Sequence, residues 1–241
     1  MDLSKIKLIA LDLDGTLTQH KSKLTTQVKE ILDTLSKDYN LVMVGAGSCE
    51  RIFKQLNKYP IDIIGNYGME FSTVDKETGN LIITDNIKVD VNTNEVMKKV
   101  EKLRVLTGYT SYAGESVEFH PSGAITFPLL GTTADKDKKL TFDPTKAKRR
   151  AILDLVKKEF NDKTVFIGGT SSFDITPKEF NKYIALKTYI DKLKINSNEV
   201  VYFGDDYGPG GNDEHLYNSE IEFIKVDNYK EFPQKVRFLI K

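Results

Sequence analysis

The segment Asp12-Leu13-Asp14-Gly15-Thr16 places two carboxylates at i and i+2, and in an extended chain such a pair projects to one side. Neighbouring anions repel unless a cation or a shared proton relieves them. A divalent metal is the natural partner, and oxygen ligands at an exposed strand end suit Mg²⁺. Gly15 permits a sharp turn, and Thr16 offers a hydroxyl and an amide to an anion. The ordinary alternative is a solvated Asp/Gly turn, but D-x-D-G-T arises by chance in a chain of this length only about a few times in a thousand. A calcium loop of the EF-hand type needs Gly and Glu where Leu17 and Lys23 stand, so that reading fails.

Three further pieces fall in order along the chain. Gly45-Ala46-Gly47-Ser48 precedes an apolar helical pattern, so a helix N-terminus and the Ser48 hydroxyl could receive a phosphate; alternatively Ser48 is simply an N-cap. A dinucleotide fingerprint is excluded because Glu50 stands where its last glycine belongs. Lys182 is one lysine among many, raised only by its position. The loop from Gly204 to Asp213 is rich in aspartate and glycine. If its strand lies beside the first, Asp205 completes a metal site begun by Asp12, and the glycines let amides line an anion pocket.

Elements must bring these pieces together. Apolar runs of strand length precede the acidic and glycine-rich loops: residues 6–11, 41–44, 61–64, 199–203 and 221–226. They show little polar alternation, as expected of strands buried on both faces of a parallel sheet. Helical spacing links Val28, Ile31, Leu32 and Leu35; Ile52, Phe53 and Leu56; and Leu186, Tyr189, Ile190 and Leu193. Strand and helix alternating in this way predict a doubly wound, Rossmann-like α/β core. From about Leu81 to Pro177 the texture changes. A hairpin around residues 77–80, a helix through Val96 and Val100, strands at 116–120 and 124–130, a helix through Ile152 and Val156, and strands at 164–169 and 173–176 predict an α+β lobe inserted into the core. The resulting division is 1–84 and 184–241 for the core, with 85–183 as the insertion. The charged run Asp135–Lys139 reads as a solvated loop.

Composition bounds the partners. The 241 residues carry 35 basic and 35 acidic side chains, so the surplus of positive charge usual for nucleic-acid or anionic-membrane binding is absent. The single cysteine, Cys49, excludes an internal disulfide framework, and no stretch is long and apolar enough for a membrane span. A cytoplasmic enzyme acting on a small molecule is the expectation, with a monomer and a homodimer formed through the insertion both open.

The four pieces in this order resemble the haloacid dehalogenase superfamily of aspartate-dependent phosphotransferases, and the resemblance runs over the whole chain. Residues 168–177 and 203–217, above all Pro209-Gly210-Gly211-Asn212-Asp213, look most like eukaryotic-type phosphomannomutases, with Cof-type sugar phosphatases as relatives that share the large cap. The resemblance implies Asp12 as nucleophile and Asp14 as general acid and base. It implies Mg²⁺ held by Asp12, the Asp14 carbonyl and Asp205, with Asn212 and Asp213 in support, and Thr16, Ser48 (or Ala46) and Lys182 on the phosphoryl group. Ser172 and Asp174 match cap residues that contact sugar. Lys21 stands where the mutases have arginine, and Lys for Arg forfeits a bidentate phosphate grip. The mutases hold a second phosphate with cap arginines, whereas this chain has His120 and Gly131-Thr132-Thr133 at those places and no arginine from Tyr109 to Thr145. The departures predict a Mg²⁺-dependent phosphatase acting on a small phosphorylated metabolite, in the first place a sugar phosphate. The alternative is a phosphohexomutase converting mannose 6-phosphate to mannose 1-phosphate, its second phosphate clamped by Lys146, Lys148, Arg149 or Arg150.

Overall fold

The computed structural model describes residues 2–240. In chain order the first part of the core contains β1 (Leu8–Leu11), α1 (Thr26–Leu35), β2 (Asn40–Val44), α2 (Cys49–Gln55), β3 (Asp62–Gly65), β4 (Glu70–Val74) and β5 (Leu81–Asn86). The insertion contains α3 (Thr93–Thr107), β6 (Glu118–Phe119), β7 (Ile125–Pro128), α4 (Lys136–Phe142), α5 (Ala147–Glu159), β8 (Lys163–Gly168) and β9 (Ser172–Pro177). The core resumes with α6 (Lys182–Lys192), β10 (Val200–Gly204), α7 (Glu214–Tyr217), β11 (Glu222–Lys225) and α8 (Phe232–Lys235).

The core sheet has the order β11-β10-β1-β2-β3-β4-β5. Pairings from β11 through β3 are parallel, while β4 and β5 add an antiparallel edge. Alternate side chains of the buried strands serve opposite faces. Ile9, Leu11, Met43 and Phe203 pack with Val28 and Leu32 of α1, Ile52 of α2 and Phe232 of α8. Leu8, Ala10, Val42 and Tyr202 pack with Ala185, Leu186 and Ile190 of α6. Helices on both faces of a mostly parallel sheet are the doubly wound arrangement that the unalternating apolar runs predict.

The second unit is an antiparallel sheet of order β6-β7-β9-β8. Ile125, Phe127, Phe173, Ile175, Val165 and Ile167 form its apolar face against Val96, Val100 and Leu103 of α3 and Leu153 and Val156 of α5. Arg104 is buried beside that core, its guanidinium donating to Ser116 Oγ and to the carbonyls of Ser116, Tyr109, Pro128 and Leu129 at 2.6–3.2 Å. It spans the strand ends as a polar staple.

Residue contacts divide the chain into a first unit running to Ile87, resuming over Asn181–Tyr207 and again from Asp213, and a second of Lys88–Phe180 and Gly208–Asn212. The hairpin at residues 77–80 belongs to the core, where β4 pairs with β3, as the division at residue 84 has it, although the change of texture groups it with the insertion. Asp135–Lys139 is solvated but not a loop: the Asp135 carboxylate accepts the Asp137 and Lys138 amides and so caps α4. Three lysines in five residues conceal that helix, because its turn faces water almost all round.

Candidate active site

Register explains the meeting of the acidic motifs. Leu11 of β1 lies opposite Phe203 of β10, so the residues that follow both strands emerge side by side. The Asp12 amide still donates to the Phe203 carbonyl at 2.9 Å, and both Asp12 and Asp205 lie at the carboxyl edge of the sheet. Lys182 is the first residue of α6, whose start is fixed by the Asn181 side chain accepting the Ile184 amide. The Lys182 side chain is wholly buried, and its Nζ donates to Asp12 Oδ1 at 2.6 Å and Asp213 Oδ1 at 2.8 Å. Asp213 also accepts the Tyr202 hydroxyl at 2.7 Å and the Asp206 amide at 3.1 Å.

Thr16 is buried between two carboxylates, with Oγ1 3.3 Å from Asp12 Oδ2 and 3.1 Å from Asp205 Oδ1. One hydroxyl has one proton and can donate to only one of them at a time. Burial lifts the Asp12 carboxyl to about 6, against the pull of Lys182. Burial, with Asp12 and Asp213 adding to it, lifts Asp205 to about 9. Burial alone would lower Lys182, but Asp12 and Asp213 outweigh it and hold the ammonium charged. Asp12, Asp205 and Asp213 offer oxygens within 4.8 Å of one another. With all three ionised, the cluster and Lys182 carry −3 + 1 = −2. A divalent cation that prefers hard oxygen donors fits both the charge and the donor set. Gly15 has φ +103°, and a Cβ there would lie 2.4 Å from Asp205 Oδ2, so the turn needs glycine for its backbone and its space.

Asp14 stands apart from the buried trio. Its Oδ1 accepts the Gln55 amide at 2.6 Å and the Lys21 backbone N–H at 2.7 Å, while Oδ2 accepts Arg51 at 3.2 Å. Burial would raise this carboxyl, but the bonds from Gln55 and Lys21 together with the Arg51 charge hold it below the usual carboxylate range.

The other residues singled out from sequence take varied places. Ser48 caps α2, its Oγ accepting the Arg51 amide at 3.3 Å, which is the ordinary alternative weighed for it. Lys21 reaches Asp14 through its backbone, in a left-handed conformation with φ 56°, and is exposed. In the second unit His120 Nε2 lies 2.9 Å from Thr126 Oγ1, and that hydroxyl donates to Asp174 Oδ1 at 3.3 Å, forming a half-buried polar row. The Ser172 hydroxyl donates to the Gly168 carbonyl at 3.0 Å. Arg149, one of four cations considered for a phosphate clamp, is 1% exposed and committed to the fold, donating to Asp143 and to the carbonyls of Gly168, Gly169 and Ser172. Sequence reasoning passed over Arg51, Gln55, Thr126 and Tyr202. Tyr202 carried a signal: a phenol inside a fully buried strand needs a partner.

Adjacent strand ends bearing this aspartate and lysine cluster, with an α+β unit inserted between core elements, define a member of the haloacid dehalogenase superfamily. The fold is similar to a haloacid dehalogenase-like hydrolase from B. subtilis (TM-score 0.59, 15% identity, 91% of this chain and 89% of that one). It is also similar to the IMP-bound, N-terminally truncated Plasmodium falciparum IMP-nucleotidase (TM-score 0.72, 16% identity, 97% and 68%). The family described as eukaryotic phosphomannomutase matches residues 28–236, and the chain belongs to it. Relatives include the phosphomannomutases of Spinacia oleracea (27% identity, 90% of this chain and 89% of that protein) and Babesia bovis (25%, 97% and 98%).

These matches overturn the phosphatase expected from sequence. That expectation rested on the missing arginines between Tyr109 and Thr145. The absence of one residue type argues only against one way of holding a phosphate. No helix of the described residues is long and apolar enough to cross a membrane.

Proposed function

We propose that the protein is a phosphohexomutase interconverting mannose 6-phosphate and mannose 1-phosphate. Membership of the phosphomannomutase family supports this, and the observation that carries it is the cluster of buried Asp12, Thr16, Lys182 and Asp213 with half-buried Asp205. An Asp12 oxygen attacks phosphorus; the Asp12–phosphorus bond forms as the phosphorus–sugar oxygen bond breaks, and Asp14, ionised at rest, gives that oxygen the proton it has taken from the attacking hydroxyl of the return step. In the return step the free hydroxyl of a hexose monophosphate passes its proton to Asp14, its oxygen attacks the same phosphorus, and the Asp12 carboxylate is regenerated. The hexose 1,6-bisphosphate so made turns end for end and returns its other phosphoryl group to Asp12, so the net change is isomerisation. Asp12, the Asp14 carbonyl and Asp205, supported by Asp213, would hold Mg²⁺, which would supply charge neutralisation for the transferring group.

Lys182 orients Asp12, and Thr16 and Ser48 are assigned to the phosphoryl oxygens. On the second unit we assign sugar hydroxyls to His120, Ser172 and Asp174, and the far phosphate to Lys146, Lys148 or Arg150; Lys21, on the core, is assigned to the substrate, and Arg149 is committed to the fold. A cytoplasmic setting is in keeping with one buried, unpaired cysteine. The test is phosphorus NMR of mannose 1-phosphate with Mg²⁺ and a hexose 1,6-bisphosphate primer. The 6-phosphate signal should grow at the expense of the 1-phosphate and fail to do so in Asp12→Asn; release of inorganic phosphate without isomerisation sinks the reading.

A further inference from the structure

We propose that Arg51 and Gln55 are positioning residues that fix the orientation of the Asp14 carboxylate, with Gly47 making the space that lets Arg51 reach it. The inference rests on Asp14 being the acid and base of the mutase reading. Arg51 and Gln55 are four residues apart in α2 and so share a helix face. Gln55 Nε2 donates to Asp14 Oδ1 at 2.6 Å and to Thr18 Oγ1 at 3.1 Å, while Gln55 Oε1 accepts Arg51 Nη1 at 3.0 Å. The same Nη1 donates to Asp14 Oδ2 at 3.2 Å.

The amide cannot be turned round. A guanidinium only donates and an ionised carboxylate only accepts, so Oε1 must face Arg51 and Nε2 must face Asp14. Gln55 is buried, and a buried amide with every group paired is rigid. On the other side, the Lys21 amide holds Oδ1 at 2.7 Å. The bonds from Gln55 and Lys21 fall on Oδ1 and the one from Arg51 on Oδ2, with the His20 charge also near the carboxylate, so its two oxygens are held in a fixed orientation toward the hydroxyl of a substrate.

Gly47 is an independent sign of the same device. A Cβ there would lie 2.2 Å from Arg51 Nε, 2.3 Å from Nη2 and 2.5 Å from Cζ, so the guanidinium crosses directly over a bare Cα. The Arg51 side chain is 40% exposed, so burial does not dictate this path. Proton transfer requires an oxygen placed within hydrogen-bond reach of the leaving group, and misplacement by about 1 Å costs on the order of a hundredfold.

The experiment compares Gln55→Met and Gly47→Ala with wild type on two esters. A hexose phosphate leaves as an alkoxide and needs the proton, whereas 4-nitrophenyl phosphate leaves as a stable anion and does not. The ratio of single-turnover rates, hexose phosphate over nitrophenyl phosphate, should fall about tenfold or more in both variants, with the KM for hexose phosphate changed by less than about threefold. An unchanged ratio, or an equal loss on both esters, overturns the proposal. A crystal structure of Gln55→Met provides a readout that does not depend on turnover: the Asp14 carboxylate should shift by more than about 0.5 Å, and an unmoved carboxylate overturns the proposal. Failure of the mutase reading is separate. If wild type does not isomerise hexose phosphates, that reading falls, while the ratio on any alkyl phosphate and the crystal structure still decide the role of Arg51 and Gln55.

Discussion

Replacing Lys182 by methionine keeps the bulk of a fully buried side chain and deletes its charge. In the wild type the ammonium sits 2.6 Å from Asp12 and 2.8 Å from Asp213, with both carboxylates buried. Removing one partner from such a pair leaves uncompensated charge in low dielectric and costs about 3–5 kcal/mol. The loss should depend on pH in a defined direction. Asp12 already sits at about 6 with Lys182 present, above its ordinary 3.8, and loss of the cation moves it higher. Between those two values the folded state binds a proton that the unfolded state has released, so stability falls as pH rises through the window. At pH near 5 the variant can protonate Asp12 and lose little; near pH 8 it must either hold the unpaired charge or take a proton from a dilute supply, and it loses most. Urea unfolding in chelator at both pH values, followed by signals from each unit, reads the difference. Mg²⁺ should restore part of the loss at the higher pH, and turnover should fall with the nucleophile's charge. An equal loss at both pH values would refute the electrostatic argument and leave packing as the cause.

Mg²⁺ binding should release protons, because Asp205 at about 9 and Asp12 at about 6 must be ionised to ligate. Apparent affinity should therefore rise between about pH 6 and 9; calorimetry in buffers of different ionisation enthalpy checks this, and a flat profile contradicts it. Gly15→Ala should weaken Mg²⁺ binding by tenfold or more, on the order of 1.4 kcal/mol, since its Cβ would meet the Asp205 carboxylate. Arg104→Met should destabilise the second unit by more than about 3 kcal/mol by orphaning buried carbonyls, and Arg104→Lys should not rescue it because an ammonium lacks the planar fork. Thermal unfolding of both variants beside wild type settles it.

Much of the core was legible because its code is local. Unalternating runs such as Leu8–Leu11 mark strands buried on both faces, and motifs that directly follow strands must gather at one edge of a parallel sheet. Asp12 and Asp205 are expected to meet on that ground, on the condition that their strands are neighbours, and the pairing of β1 with β10 supplies it. Pairing across the sheet edge was less legible: the hairpin at residues 77–80 groups by texture with the insertion although the division at residue 84 leaves it in the core, because nothing in a hairpin states which strand it joins. Arg51 and Gln55 escaped for a related reason. Their meaning depends on Asp14, about forty residues away in sequence, and on a glycine whose missing side chain is visible only against a neighbour. The arginines misled most. Arg149 reads as a free cation on a helix, and only its carbonyl partners show that it is part of the frame.

The short loop Gly208–Asn212 bears on how the inserted unit could be exchanged for another. Although it lies between the aspartates of the core, it is built into the inserted unit, with the Ile167 amide donating to the Gly210 carbonyl at 2.8 Å and Gly210 fitted against Leu153 and Ile167. A foreign insertion spliced between Ile87 and Asn181 would arrive without the surface that these residues occupy. Transplantation would have to bring two stretches of chain, not one.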